Sequence, residues 1–490
     1  MNESSRGAVM KADLEEIFGE EDVATDTFTR TLYSFDLAPI PDLILSFFKT
    51  VPDAVVRPEN TGEVSDVVRY ARENKIPIVP RGSACSGYGG AIPVRGGIVL
   101  DLVKMDKILD IDAEDRTVTV QSGLFYQKLL EELESRGLTL FTYPSSAPVS
   151  TIGGWLSTGG YGIGSLKYGH VSDQIVEMEA VLANGEVVHL TRETPQDGGY
   201  TLDWLIGSEG TLGIITEVTL RIKPQPEAFI PHAVCFDDIN SLHMAILELA
   251  GSKCVPYSIE YFDGEYLDIK RSIGHFAPEA GAYAVLGFEG TQEEVEDGNE
   301  LLSHVIGKTG GEDLDLETAE EEWEERFYPL RIGRAGPTLF PGDIIIPLIA
   351  LQDAVEEIWR MKRAYRVRLG IYGSVVARDQ TTLMPLGLTD ERKTLRYLST
   401  IPMARDIVEE GIKEGGRPYG IGLWNAFYLK KAYGNTTVQE LKRRKRLLDT
   451  DNIMNPGKFF HAQTRFGFSL SPFLYGSSMR LFKLLRFIIR

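Results

Sequence analysis

The sequence predicts an α+β fold in two units, and three observations predict it. Up to residue 226, short strands and single helices are separated by three glycine-rich stretches. Beyond it, a strand–helix–strand order occurs twice in succession, as in a ferredoxin-like unit. Between the two lie Pro224 and Pro226, a natural break. The 490 residues suit two or three domains, and 43% hydrophobic with 25% charged residues is a globular composition. The net charge of −20 argues against nucleic acid as a partner, since phosphate backbones need a basic face.

Taken in order, residues 1–50 read as a helical lead-in and residues 51–226 as the first folded unit. Asp53 to Pro58 is a strand. Thr61 is the expected N-cap of a helix in which Val64, Val67, Val68 and Ala71 recur at helical spacing. The apolar run Ile76 to Val79 follows, and behind it Pro80 to Ala91, PRGSACSGYGGA, whose one charge is Arg81. Such a loop cannot hold itself by burying side chains. Its small residues instead let backbone N–H groups approach a phosphate or pyrophosphate, although an ordinary turn has the same composition. Gly97 to Leu102 and Thr117 to Gln121 are strands, and Phe125 to Arg136 is a helix with one apolar face. Pro144 to Gly164 is a second small-residue stretch without a charge. Ile152, Trp155, Leu156 and Ile163 make it a ligand-lining segment rather than a linker. Gln174 to Leu190 is a hairpin about Asn184-Gly185, the signature of a type I′ turn. The third glycine cluster, Gly207 to Gly213, runs into a strand.

In the second unit, residues 227–445, the strands are His232 to Asp237, Tyr257 to Phe262 and Ala282 to Glu289. The helices are Ile239 to Ala250 and Glu293 to Ile306. Acidic residues crowd Glu312 to Glu325, which reads as a solvated face. Asp343 to Pro347 is a short strand before a helix reaching Arg363. The tail, 463–490, has no Asp or Glu. Leu481, Phe482, Leu484, Leu485, Phe487, Ile488 and Ile489 alternate there with Arg480, Lys483, Arg486 and Arg490. This is a basic amphipathic helix, able to lie on an anionic membrane, dock on a partner or pack on the protein itself. The N-terminus lacks an apolar signal region, and Cys85, Cys235 and Cys254 have no paired spacing. Both suggest the cytoplasm, with peripheral contact on the inner face of the membrane through residues 478–490.

Four stretches in this order, Arg81 to Ser86, Thr151 to Gly154, Gly207 to Thr216 and Asn455 to Lys458, resemble the motifs of the FAD-linked oxidase family. These are the p-cresol methylhydroxylase/vanillyl-alcohol oxidase flavoproteins. The nearest likeness is to the glycolate oxidase and FAD-dependent D-lactate dehydrogenase branch, with some likeness to alkylglycerone-phosphate synthase. The resemblance covers roughly residues 50 to 460. It implies a two-subdomain FAD-binding domain over 51–226, a substrate (cap) domain over 227–445, and a return to the FAD domain at 446–462. It implies non-covalent FAD held by Arg81, Gly82, Ser83, Ala84, Cys85, Ser86 and Gly87 and by Pro144, Ser145, Thr151, Gly153, Gly154 and Thr158. Glu209, Gly210, Thr211, Gly213, Ile214 and Ile215 complete that set. Some relatives tether FAD through a His where Cys85 stands; a small buried residue is the commoner role for Cys.

The implied activity is oxidation of a small hydroxy acid or alcohol by hydride transfer to flavin N5. Electrons would pass on to a quinone or an iron–sulfur partner. The alternative is a non-redox flavin transferase resembling alkylglycerone-phosphate synthase. Relatives of the dehydrogenase branch carry a His-rich segment and a Glu-His-Gly motif that bind a metal. Here Gly373 to Leu386 has no His, and Pro418 and Tyr419 replace Glu and His, so no catalytic metal is expected. Trp323 and Arg326 keep the family's Trp-x-x-Arg. Arg326 is the candidate for a substrate carboxylate, with a salt bridge to Glu322 or Glu325 as the structural alternative. Tyr419, Tyr372 and Tyr428, aided by Arg378, are the candidate polar groups beside the flavin ring.

Overall fold

The structure, a computed structural model, describes residues 3–336, 338–340 and 342–488. It is α+β, as the sequence predicts, with three main sheets. The first comprises β1 (Val23–Ala24), β2 (Ala54–Val56), β3 (Ile78–Arg81) and β4 (Ile98–Asp101), in the order β1-β2-β4-β3. β2, β4 and β3 are parallel, and helices cover their apolar core. The helix Thr61–Glu73 supplies Val64, Val67, Val68 and Ala71 to this core. Its cap is Asn60, not Thr61: the Asn60 side chain accepts from Glu63 N, and Asn is the stronger cap. The lead-in contains the helices Glu3–Phe18, Thr27–Leu32 and Asp42–Leu45, and β1 makes it part of the first sheet.

The second sheet is antiparallel: β5 (Ile108–Asp112), β6 (Thr117–Gln121), β7 (Leu138–Leu140), β8 (Ile175–Leu182), β9 (Val187–Leu190) and β10 (Gly213–Pro224). Its order is β5-β6-β10-β8-β9, with β7 on the far end of β10. The β8–β9 hairpin is present but its turn is not type I′. Gly185 alone is left-handed, at φ 80°, and Leu182 N donates to Glu186 O. That is a wider turn closed by a glycine bulge.

The third sheet has nine strands. β11 (Ala228–Phe236), β12 (Ser258–Asp263), β13 (Ala282–Gly290) and β14 (Glu312–Asp313) lie in the order β14-β11-β13-β12, the ferredoxin-like arrangement. β15 (Thr338–Phe340), β16 (Ile344–Pro347), β17 (Leu369–Ala377), β18 (Gln380–Thr389) and β19 (Arg417–Pro418) extend it beyond β12. The acidic stretch is not wholly solvated. In the helix Leu316–Glu324, Glu322 is buried and meets Lys270 Nζ at 2.8 Å.

The chain returns to the first sheet near its end. Ile78 N donates to Ile453 O at 2.8 Å and Asn455 N to Ile78 O at 2.7 Å, so residues 453–455 run beside β3. Lys445 fixes this return: its Nζ donates to Asp449 Oδ2 at 2.5 Å, Met454 O at 2.7 Å and Thr211 O at 2.8 Å. Lys445→Met strands a buried carboxylate and is expected to destabilise the protein by about 3–5 kcal/mol. The urea midpoint checks this, and an unchanged midpoint would count against it. β20 (Ala462–Gln463) and β21 (Ser469–Leu470) form a last hairpin before the helix Pro472–Ile488. Among the described residues no helix is long and apolar enough to cross a membrane.

Candidate active site

Parallel strands deliver their carboxyl ends to one edge, and ligands gather there. β3 ends at Arg81, and residues 82–91 leave that edge without regular structure. Gly82 is required by close approach: a Cβ there would lie 2.3 Å from Thr151 Oγ1. Ala84 is left-handed at φ 54°, a conformation costly for a residue with a side chain. Among the described residues nothing accepts from the backbone N–H groups of Ser83, Ala84, Cys85, Ser86 or Gly87, all half-buried. The Arg81 guanidinium is taken up elsewhere. It donates to Phe35 O at 2.9 Å and lies over the Tyr33 ring, so its fixed task is to hold the lead-in.

The second glycine stretch packs against this loop, with Cys85 Sγ 3.3 Å from Ser150 Oγ. The backbone N–H groups of residues 152–154 are taken up within the protein. Ile152 N and Gly153 N donate to Leu124 O and Ser122 O at 2.9 and 2.7 Å. Gly154 N donates to Thr151 Oγ1, the cap of the helix Ile152–Thr158. Thr158 Oγ1 is likewise engaged by Trp155 O, while Ser145 stays half-buried beside Tyr372 and Pro144 O accepts from Ala147 N.

The third cluster acts as a clasp. Glu209, left-handed at φ 51°, accepts from Ile421 N and Gly422 N at 2.8 and 2.7 Å. Burial pushes its carboxyl up to about 7. Asn455 Nδ2 donates to Glu209 O at 2.7 Å and to Gly90 O at 3.1 Å; Lys458 Nζ donates to Gly90 O at 2.7 Å. The motifs therefore tie one another together around the loop's far end. Gly210 lies against Pro80, where a Cβ would approach Cγ to 2.5 Å. Thr211, Gly213, Ile214 and Ile215 are buried in β10 and its packing, so they support the cleft from the core rather than line it.

The third sheet and the segment 323–327 bring a cluster of polar groups towards Tyr143. Arg326 Nε donates to Tyr143 OH at 3.3 Å and Nη1 to Trp323 O at 2.8 Å, and the guanidinium lies over the Trp323 and Phe327 rings. The alternative of a salt bridge to Glu322 or Glu325 does not hold: these pair with Lys270 and Arg331. The carboxylate near Arg326 is Glu324, at 3.6 Å and 78% exposed. Arg326 Nη2 has no acceptor among the described residues. Tyr372, on β17, donates to Glu260 Oε1 on β12 at 2.9 Å, and both are buried. Glu260 and Arg326 line the same cavity of about 20 Å³, room for one water.

Tyr419 meets the second glycine stretch, and its hydroxyl is occupied there. It donates to Tyr161 O at 2.9 Å and accepts from Tyr161 N at 3.1 Å, and burial pushes it up to about 12. Two other expected groups are not brought to the cluster. Arg378 sits at the β17–β18 turn, donating to Ser252 O at 2.8 Å and Ala250 O at the end of the helix Ile239–Gly251. Tyr428 donates to Tyr475 OH at 3.4 Å, under the C-terminal helix. Among the described residues no three or more His, Cys, Asp or Glu side chains are grouped to hold a metal ion.

Residues 52–191 match the model of an FAD binding domain, and residues 225–459 that of the C-terminal domain of FAD linked oxidases. The chain is 31% identical over 470 residues to glycolate oxidase subunit GlcD of Bacillus subtilis, covering 93% of this chain and 97% of that protein. The chain belongs to the FAD-linked oxidase family. It is also 28% identical to a D-lactate dehydrogenase of Anaerostipes hadrus, over 85% of this chain and 91% of that one. In fold it is similar to p-cresol methylhydroxylase with substrate bound: TM-score 0.78, 20% identity, covering 94% and 97% of the two chains. An alkyldihydroxyacetonephosphate synthase matches with TM-score 0.73 at 22% identity, covering 91% and 85%.

The residues present fit FAD. Its pyrophosphate carries many acceptors and no donors, and the free N–H groups of residues 83–87 are the complement of that. The group that sequence reasoning missed is Glu260. Its signal is an acid between two apolar neighbours, Ile259 and Tyr261, in SIEYFD, a strand buried along its whole length.

Proposed function

We propose that this protein is an FAD-dependent dehydrogenase that oxidises the CH–OH group of a small 2-hydroxy acid to a keto acid. The backbone N–H groups of Ser83 to Gly87 would hold the pyrophosphate of non-covalent FAD. When bound, FAD supplies the two-electron acceptor for the substrate's hydride. Arg326 binds the substrate carboxylate through its free Nη2, a charge-assisted contact. Glu260 takes the hydroxyl proton, and Tyr372 holds the carboxylate of Glu260 in place. Tyr419 is a positioning residue that locks residues 159–164 against the cap. The observation that carries this reading is the half-buried Arg326 lining one cavity with a buried, sparsely bonded carboxylate, Glu260. The hydroxy-acid chemistry in the names of the relatives agrees with it. The likeness to the alkyl synthase is one of fold and favours no transferase.

We further propose that electrons leave to a quinone or iron–sulfur acceptor, with the enzyme in the cytoplasm and residues 478–490, of which 489 and 490 lie outside the described residues, in peripheral contact with the membrane's inner face. The deciding experiment is anaerobic: 2-hydroxy acids, then the matching alcohols, are added to the purified yellow protein. Bleaching by hydroxy acids supports the proposal; bleaching by none of them rejects it. A second expectation concerns the cradle. Gly82→Ala drives a methyl into the Thr151 cap, so the variant is expected to purify largely without flavin absorbance while keeping its far-ultraviolet circular dichroism. Full flavin occupancy in that variant would remove the loop from the binding site.

A further inference from the structure

The C-terminal helix is apolar on both sides, which a surface helix is not expected to be. Its inner side, Tyr475, Met479 and Phe482, packs on Tyr397, Leu398 and Ile401 of the helix Thr394–Lys413. Its outer side presents Phe473 at 77%, Leu481 at 61% and Leu484 at 57% exposure. The hairpin just before it adds Phe466 and Phe468, both exposed, with parallel rings 6.2 Å apart. Arg465 lies over Phe466, and its N–H donates to Phe47 O at 2.8 Å, which joins the exposed Leu43 and Phe47 to the same region. Asp42 is the one acid on that short helix. Exposed apolar surface of this extent marks a binding face.

Charge says what covers it. The chain carries −20 overall, yet residues 463–490 hold five basic and no acidic residues. Lys483 is paired with Asp406 at 2.6 Å, but neither Arg465 nor Arg480 has a carboxylate within ion-pairing distance among the described residues. Basic residues around exposed Phe and Leu suit an anionic lipid surface: the rings and leucines enter the headgroup boundary while the guanidinium groups meet phosphates. We propose that the 462–470 hairpin, the outward side chains Phe473, Leu481 and Leu484 of the helix Pro472–Ile488 and the adjoining Leu43 and Phe47 form one docking surface for an anionic membrane. This deepens the dehydrogenase reading, on which it rests for its purpose, by placing the enzyme beside a lipid-borne acceptor.

The test uses the full-length flavoprotein in flotation with phosphatidylcholine vesicles, with and without phosphatidylglycerol. Wild type is expected to float with the anionic vesicles and to be released by salt. Leu481→Ser with Leu484→Ser, and separately Arg465→Glu with Arg480→Glu, are each expected to lower binding about tenfold or more. Substrate bleaching of the flavin is expected to be unchanged in both. No flotation of wild type, or equal flotation of the variants, overturns the proposal. So does a dimer in analytical ultracentrifugation that the Leu481 and Leu484 changes dissociate, because the face would then belong to a second copy. Flotation without any substrate bleaching would reject the dehydrogenase reading alone.

Discussion

Glu260→Gln is expected to slow reduction of the bound flavin by roughly 10²- to 10⁴-fold, the usual worth of a positioned general base. The change keeps the volume and a partner for Tyr372, so substrate affinity is expected to stay near wild type. The choice of Glu260 over its neighbour Asp263 follows from their bonds. Asp263 is buried too, but it caps the helix Gly264–Ser272 by accepting from Tyr266 N, and it also accepts from Ile371 N and the Trp359 indole. Glu260 accepts from the Tyr372 hydroxyl alone among the described residues, which leaves a lone pair for a substrate proton.

The pH dependence separates this role from a structural one. Burial pushes Glu260 up to about 7, against weaker lowering by the Tyr372 hydrogen bond and by Arg326. A base works ionised, so the wild-type reduction rate is expected to rise through about pH 7 and then level, and the Gln variant to lose that inflection. Stability moves the other way. A carboxyl whose folded pKa lies above its unfolded value keeps a proton on folding that the unfolded chain has already lost. Its contribution to stability therefore declines from about 4.5 up to about 7. Glu260→Gln lacks this decline, so it is expected to melt no lower than wild type at pH 8 while being far slower. A single-turnover rate unchanged in the variant would remove Glu260 from the chemistry.

How legible the molecule is from sequence depends on what each feature rests on. The ferredoxin-like strands are readable because periodicity and strand–helix order are local. The β17–β18 hairpin is harder to see, because attention at Gly373 to Leu386 goes to the missing His rather than to the strands' own alternation. The cradle at residues 82–87 is visible in composition, since only backbone donors are useful in such a loop. That the N–H groups of Ile152 and Gly153 are already engaged is not visible in the sequence: their partners, Leu124 and Ser122, sit on another segment that no local pattern points to. Tyr419 and Arg378 mislead for the same reason, as their partners lie 258 and 126 residues away. Glu260 escapes notice because it replaces no motif residue; the informative feature is an acid inside an apolar strand.

Arg326→Met is expected to lower kcat/KM for a 2-hydroxy acid by about 2–5 kcal/mol, or roughly 30- to 4,000-fold, as loss of one partner from a buried charged contact does. The effect is expected in KM more than in kcat, because a carboxylate is held alike in ground and transition states. The fold is expected to survive. Arg326 meets a hydroxyl, a carbonyl and two rings, and its one carboxylate neighbour, Glu324, is 78% exposed, so no buried acid is stranded. Met fills much of the same space over Trp323. Arg326→Lys tests geometry instead of charge: a point charge cannot fork to a carboxylate or stack on Trp323 and Phe327, so it is expected to recover only part of the loss. The matching alcohol provides the control. It has no carboxylate to bind, so its already slow oxidation, measured well above the Glu260 inflection where losing the Arg326 charge no longer changes the ionisation of the base, is expected to be the same in wild type and in Arg326→Met. Equal losses for acid and alcohol would show that Arg326 shapes the cap without touching substrate, and would place the carboxylate site elsewhere in the cleft.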